Sequence, residues 1–291
     1  MEPKLVMNNH VTTFLFDQLD IRGRYVRLTT EWQTWQTNRH TTPVATQLLG
    51  ECVAFLSLVA IDVKSLGKLT LQLRGNGEVK TLVVQCQIDR EDLKLRGMIE
   101  APELSQLNTL SEAFADGDLA LTLYNELTQT NYQSIVPIEG DTATRVFADY
   151  LSQSVQHPTS LWLMADQQQV TGLLLEKMPD TDIKDPDGWQ RINHLASTLT
   201  DEELRDCSLD TLLHRLFHEE VIQCYQPTPA LYHCPDEREK LTEVIRSLGQ
   251  DECERIISEE GKLIMSNELC NRNYVFSLAD VQSIFGVPTK H

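Results

Sequence analysis

Seven cysteines are spread along the 291 residues, and two of them, Cys234 and Cys270, sit among other metal-ligating side-chain types in the last sixty or so positions. A structural zinc site takes four ligands, usually as two short-spaced pairs. Here each candidate pair offers one thiol, in Cys234-Pro235-Asp236 and Asn267-Glu268-Leu269-Cys270. Asp236 is the candidate third ligand and His233 the fourth; ordinary reduced thiols are the competing reading. His214 and His218 lie four apart, also a ligand spacing, but the string His214-Arg215-Leu216-Phe217-His218 lacks the glutamate of HExxH. A solvated or salt-bridged pair beside Glu219 and Glu220 is favoured over a zinc-dependent hydrolase. Gly75-Asn76-Gly77 is a lone GxG followed by strand-like residues, which suits a hairpin turn better than a dinucleotide site. No GxxxxGK[ST] and no GxSxG occur, so neither ATP binding nor a serine nucleophile is expected.

The chain around these residues carries 43 acidic and 25 basic side chains, a formal net charge of -18. Phosphate backbones are held by Lys and Arg with release of counterions, so nucleic acid is an unsuitable partner. The same charge keeps a protein in solution, alone or with sticky partners attached. Met1 to His10 is polar, without the apolar core of a signal peptide, and the uncharged run from Cys52 to Ile61 is too short to span a bilayer. An odd cysteine count without an export signal points to reduced thiols in the cytoplasm.

Periodicity predicts an α+β fold. Thr13 to Arg22 reads as a strand leading into Gly23, and Pro43 to Val63 as a long buried helix with Pro43 in its first turn. Leu69 to Leu73 alternates with period two, and Val79 to Ile88 resumes a strand beyond the glycines. Leu93 to Ile99, Leu119 to Tyr124, Leu161 to Met164 and Val170 to Lys177 are further strands, and Asp141 is placed as the cap of a helix burying Val146, Phe147, Tyr150 and Leu151. Strands in runs with few intervening helices favour a largely antiparallel sheet with packed helices. Residues 1–179 form this first domain, and the polar stretch Pro179 to Gly188 ends it. Residues 180–229 are a helical linker, with a capping box at Thr200-Asp201-Glu202-Glu203 and an apolar face of Leu209, Leu212, Leu213, Leu216 and Phe217, until Pro227 and Pro229 break the chain. Residues 230–291 form a small helix–hairpin–helix domain. Its helices stop at Gly249 and Gly261, its hairpin joins Leu263–Met265 to Tyr274–Phe276, and Ser277 caps the last helix. A module of this size usually needs a metal, a disulfide or a docking surface.

The order of several short motifs adds to this reading. Phe14-Leu15-Phe16-Asp17, Leu48-Leu49-Gly50-Glu51, Gly75-Asn76-Gly77, Tyr132-Gln133-Ser134-Ile135-Val136-Pro137, Tyr150-Leu151-Ser152-Gln153-Ser154, Leu212 to Glu220 and Tyr232-His233-Cys234 resemble, in order and spacing, the redox-regulated 33-kDa heat-shock chaperone family. The resemblance runs from about Phe14 to Phe285. It implies an ATP-independent holdase that binds unfolding proteins under oxidative or heat stress, and a homodimer when active. The family's four zinc thiolates, CxC then CxxC, map onto Cys234 and Asp236, then Asn267 and Cys270, so two thiols remain and two ligand positions are replaced.

In the family, oxidation expels zinc, the tail and linker unfold, and a covered apolar surface takes up clients. Metal binding to a small module is folding free energy, which makes that switch sound physics. With the ligand set incomplete, the resemblance leaves two forms of it here. In one, the tail folds without metal, or is held weakly by Cys234, Asp236 and Cys270, and the holdase is constitutive or heat-driven. In the other, oxidation joins Cys234 and Cys270 in a redox disulfide, with Cys253 a further candidate thiol. Cys52 reads as a small core residue. The client surface would be the apolar sheet face beneath the helices around Leu209 to Phe217. A regulator of one partner protein, no longer redox-sensing, is the alternative.

Overall fold

The computed structural model describes residues 8–286 except 38, 62, 64–66, 90, 102–103 and 155–156. The chain divides into two compact units, Met1–Tyr232 and His233–His291.

In the first unit, β1 (Asn9–Phe16) and β2 (Ile21–Leu28) pair antiparallel as a hairpin, so the single strand expected over Thr13 to Arg22 is two strands around a tight turn. Phe14 faces Gly23 across that pair, and a Cβ on Gly23 would lie 2.0 Å from the Phe14 ring. The ring occupies the space a side chain would take, which is why a glycine serves in a strand interior here. A short helix, α1 (Thr30–Gln36), follows and buries Trp32 and Trp35. The Asn9 carboxamide oxygen accepts from the Thr29 and Glu31 backbone N–H groups, capping α1 from a distant strand.

Helix α2 (Pro43–Ala60) begins as expected, with Pro43 in the first turn and the Thr42 hydroxyl accepting from the Ala45 N–H. By length and apolarity it would cross a membrane, yet 72% of it is buried inside the fold, as suits a core helix. Then come β3 (Gly67–Arg74), β4 (Thr81–Ile88), β5 (Leu93–Glu100), α3 (Leu110–Phe114), β6 (Asp118–Asn125) and β7 (Thr130–Pro137). The turn between β3 and β4 is the anticipated hairpin: Gly75 packs so tightly on α3 that a Cβ there would lie 1.7 Å from the Phe114 carbonyl oxygen. Helix α4 (Ala143–Ser154) buries the four predicted residues, but the Thr142 hydroxyl, not Asp141, accepts from its first turn, while the Asp141 carbonyl accepts from Leu110.

The hairpin of β8 (Thr159–Ala165) and β9 (Val170–Lys177) leads into four short helices, α5 (Thr181–Lys184), α6 (Gly188–Ala196), α7 (Asp201–Asp206) and α8 (Leu209–Phe217). Two strands close the unit, β10 (Ile222–Cys224) and β11 (Thr228–Tyr232). The expectation that Pro227 and Pro229 end regular structure is corrected here. Pro229 lies within β11, which pairs antiparallel with β1 and parallel with β5. That strand fuses two antiparallel halves into one eleven-stranded sheet of order β7-β6-β3-β4-β5-β11-β1-β2-β9-β8, with β10 beside β1. The sheet is thus largely antiparallel with packed helices, an α+β fold.

Because side chains alternate across a strand, the β1–β2–β9 region presents two apolar faces. Val11, Val26, Leu28, Val170 and Leu174 join α2 in the main core, where Phe55 stacks on Phe147 at 4.1 Å. Phe14, Phe16, Ile21, Tyr25, Leu173 and Leu175 face the other way into a separate cluster.

The second unit packs α9 (Arg238–Leu248), α10 (Gln250–Glu260) and α11 (Leu278–Gly286) with the hairpin of β12 (Leu263–Asn267) and β13 (Arg272–Phe276). A 3-10 turn over Glu268–Cys270 joins the two strands. Ile245, Cys253, Ile257, Leu263, Tyr274, Phe276 and Val281 form its core. Gly261 stops α10 in the left-handed conformation, and Ser277 caps α11 in a reciprocal exchange with Asp280.

Candidate functional site

The second apolar face is covered mainly by the short helices, with Ile222 of β10 packed beside them. Ile192 and Ala196 of α6, Leu204 of α7, and Leu212, Leu213, Leu216 and Phe217 of α8 pack on Phe14, Phe16, Ile21, Tyr25, Leu173 and Leu175. Phe217 meets Phe16 edge-on with centroids 5.0 Å apart. Each helix carries local start signals: Thr200 and Glu203 form the full capping box of α7, and the Ser208 hydroxyl accepts from Thr211 at the start of α8.

Polar ties to the sheet are few and lie at the margin. Ser160 of β8 bonds Asn193 of α6 at 2.7 Å, and the Arg27 guanidinium donates to the Leu204 carbonyl at the end of α7 at 3.2 Å. Arg191 bridges Asp185 and Glu220. The Tyr25 hydroxyl beneath the cover has its pKa pushed up to about 12 by burial, partly offset by the Arg27 charge. On the α2 side of the sheet, Glu176 accepts from Arg22 at 2.7 Å and from Arg24 at 2.9 Å, a largely buried charge cluster.

In the second unit Cys234 and Cys270 are joined by a disulfide, with Cα atoms 5.7 Å apart across 36 residues of chain. The remaining candidate zinc ligands are otherwise engaged. The exposed Asp236 carboxylate accepts from the Arg238 N–H. The Asn267 side chain accepts from the Cys270 N–H at 3.2 Å and donates to Glu237. His233 is exposed. Among the described residues no group of three or more His, Cys, Asp or Glu is placed to hold a metal ion. A zinc tetrad needs thiolates, imidazoles or carboxylates converging on one point, so these residues do not fit zinc as they stand. Cys253 is buried in the tail core with its thiol toward the Ile245 carbonyl, and burial raises its pKa. Cys52 and Cys86 are buried in the main core, their pKa values also raised by desolvation. His214 on α8 and His218 at its C-cap are exposed with ring centroids 6.4 Å apart, and His218 lies 4.0 Å from Glu219.

Sequence reasoning located the cover through its 3.6-residue periodicity, but not the six sheet residues beneath it. Alternation shows that a strand has two faces and does not tell which partner each will meet. The Arg27 tie and the Tyr25 hydroxyl had no signal in the sequence, since both join segments far apart in the chain.

Comparison with known proteins agrees with this architecture. The family model described as Hsp33 protein matches residues 9–277. A 33 kDa chaperonin of Pseudomonas paraeruginosa is 38% identical over 280 residues, 94% of this chain and 93% of the relative. One from Methylobacillus flagellatus is 34% identical over 282 residues, 96% of this chain and 95% of the relative. The crystal structure of the 33 kDa chaperonin (heat shock protein 33 homolog) from Thermotoga maritima matches with a TM-score of 0.79 at 20% identity, covering 96% of this chain and 98% of that one. At that identity the likeness speaks for the fold.

Proposed function

The chain belongs to the Hsp33 protein family and is a chaperone rather than an enzyme, and from that premise we propose that it is an ATP-independent holdase released by heat rather than by oxidation of zinc thiolates. The sheet of the first unit, β10 and β11 included, supplies the client-binding face, α5 to α8 supply the helical cover, and residues 233–291 form a small unit of their own. The partners are unfolding proteins, held in the cytoplasm, and not nucleic acid or bilayers.

The observation that carries this reading is the covered face. Phe14, Phe16, Ile21, Leu173 and Leu175 form an apolar surface separate from the main core. Removing the cover therefore exposes the surface without dismantling the fold behind it. The covering helices α6, α7 and α8 have 9, 6 and 9 residues, too short to persist without the surface they pack on. Elements of this kind open below the global unfolding temperature. An exposed face of aromatic and branched side chains binds the apolar segments of an unfolding client, and the -18 net charge keeps the complex dispersed.

The tail departs from a zinc-release device. With one disulfide in place of a metal tetrad, oxidation closes the small unit instead of opening it. Reduction is then the change that loosens it.

The test is light scattering of a thermally unfolding client without ATP, with the Cys234–Cys270 disulfide intact and after its reduction. Suppression in both states is the expected result. Suppression in the oxidised state alone would restore oxidative control. No suppression in either state would sink the holdase and favour a regulator that binds one folded partner stoichiometrically.

A further inference from the structure

One end of the covered face holds polar atoms that the closed fold leaves unsatisfied. Thr12 of β1, Tyr25 of β2 and Thr171 of β9 are 3%, 1% and 0% exposed. Their hydroxyls, and the buried Nε of Arg27, have no hydrogen-bond partner among the described residues. These side chains form one patch. Thr12 lies opposite Tyr25 across β1 and β2, and Arg27 lies opposite Thr171 across β2 and β9. The Arg27 guanidinium carbon is 5.9 Å from the centroid of the Tyr25 ring. Residues two apart on a strand share a face, so the patch continues the apolar surface of Phe14, Phe16, Leu173 and Leu175.

The C-terminal end of α7 lies over this corner. Arg27 Nη2 donates to the Leu204 and Arg205 carbonyls at 3.2 and 2.5 Å, carbonyls of the kind that a helix end leaves without intrahelical partners. The cover thus offers acceptors to one guanidinium nitrogen and none to the three hydroxyls or to Nε. Buried polar groups in native proteins are almost always paired, and each of these can donate. Among the described residues, the alternate positions that β1, β2 and β9 turn to this face hold no Asp or Glu. The corner is therefore rich in donors, cationic through Arg27, and continuous with an apolar surface.

We propose that, once the cover opens, this corner receives a carboxylate side chain of the client, so that the chaperone selects apolar segments flanked by an aspartate or glutamate. The inference rests on the holdase reading and names the clients it prefers. The apolar rings hold the segment, Arg27 takes the carboxylate as α7 releases it, and the Tyr25, Thr12 and Thr171 hydroxyls supply further donors. A hydrogen bond to an ionised acceptor is about twice as strong as one between neutral groups, so a carboxylate outcompetes the carbonyls that α7 supplies. The net charge of -18 opposes an acidic client at a distance. At physiological salt that repulsion is screened beyond about 8 Å, so it slows encounter and leaves the contact itself to the local donors.

The experiment uses two fluorescent peptides, acetylated and amidated at their ends, with one apolar sequence that carries a glutamate in the first and a glutamine in the second. Their affinities for the full-length protein are measured by anisotropy at the temperature where it holds a thermally unfolding client. The ratio of the two affinities is the readout, because the opening of the cover is common to both and cancels. Wild-type protein is expected to bind the glutamate peptide about tenfold tighter, the worth of a hydrogen bond to a charged group. Arg27→Met also loosens α7, yet it is expected to bring the ratio to about one, and Tyr25→Phe, which removes a hydroxyl unbonded in the closed state, to about threefold. Equal affinities in the wild type, a ratio untouched by both variants, or no binding of either peptide while a client is held overturns the proposal and leaves the holdase standing. Failure to hold any client strikes the holdase reading, and this inference with it.

Discussion

Phe217 at the end of α8 packs edge-on against Phe16 of β1, ring centroids 5.0 Å apart, and both rings are buried. The contact joins the last covering helix to β1, one of the strands of the covered face. Truncating a buried Phe to Ala removes about 3–5 kcal/mol, and the loss here falls on the cover. Phe217→Ala should lower the temperature at which client holding begins by about 10 °C and raise binding of an apolar fluorescent dye at 25 °C. An unchanged onset temperature would show that α8 does not gate the surface.

The Cys234–Cys270 bond ties the entry of the small unit to the end of its hairpin. Closing a loop of this length restricts the unfolded chain by about 4 kcal/mol. Dithiothreitol, or Cys234→Ser, should therefore accelerate amide exchange in β12 and β13 by about a thousandfold. Zinc added to the reduced protein should not restore protection, since Asp236 and Asn267 already serve Arg238 and Cys270. Restored protection with one equivalent of zinc would mean that the reduced tail rebuilds a metal site.

Much of this was legible in the sequence because local signals and burial agree. The Thr42–Pro43 start of α2, the glycines between β3 and β4, the capping box of α7 and the glycine stops of the tail helices each reflect a short-range constraint. What escaped was built from long-range contacts. Helix α1 is only seven residues and is capped by Asn9; Trp32 and Trp35 are tied to carbonyls of Asp166 and Gly97 far along the chain. Strand β11 contains Pro229 and holds because its neighbours β1 and β5 flank it, with the Tyr232 N–H taken by the Glu31 carboxylate. Strand β7, at the sheet edge and largely exposed, shows no clean alternation of apolar and polar residues. In the tail, the spacing that resembles a ligand set proved compatible with a single disulfide, a distinction set by where the backbone brings Cys234 and Cys270 together.

Glu176 receives both Arg22 and Arg24, and the Arg24 side chain is 4% exposed. Removing one partner from a buried charge cluster leaves the other desolvated and costs about 3–5 kcal/mol. Glu176→Gln should lose that much in urea unfolding, whereas Arg22→Met, at the more exposed side of the cluster, should lose about 1 kcal/mol. Equal losses would place the energetic weight on the Arg22 pair instead.

Glu51 makes the stability of the first unit depend on pH. It lies in α2, where desolvation raises its pKa to about 7; the Gln47 amide at 2.9 Å lowers it, and Asp201 of α7 raises it further. A carboxyl with a raised folded-state pKa binds more protons folded than unfolded. Its contribution is therefore fully present below the unfolded pKa and is lost as pH rises through about 7. Ionised Glu51 is also repelled by the Asp201 charge at the start of α7, one of the covering helices. Wild-type protein should become less stable between pH 5 and pH 8 by about 2 kcal/mol from this group, and client holding should begin at a lower temperature at pH 8. Glu51→Gln, which keeps the shape and cannot ionise, should match wild type at pH 5 and exceed it at pH 8, in both thermal midpoint and onset of holding. A variant whose advantage is the same at both pH values would assign the effect to packing, and one with no advantage at pH 8 would show that Glu51 is already solvated.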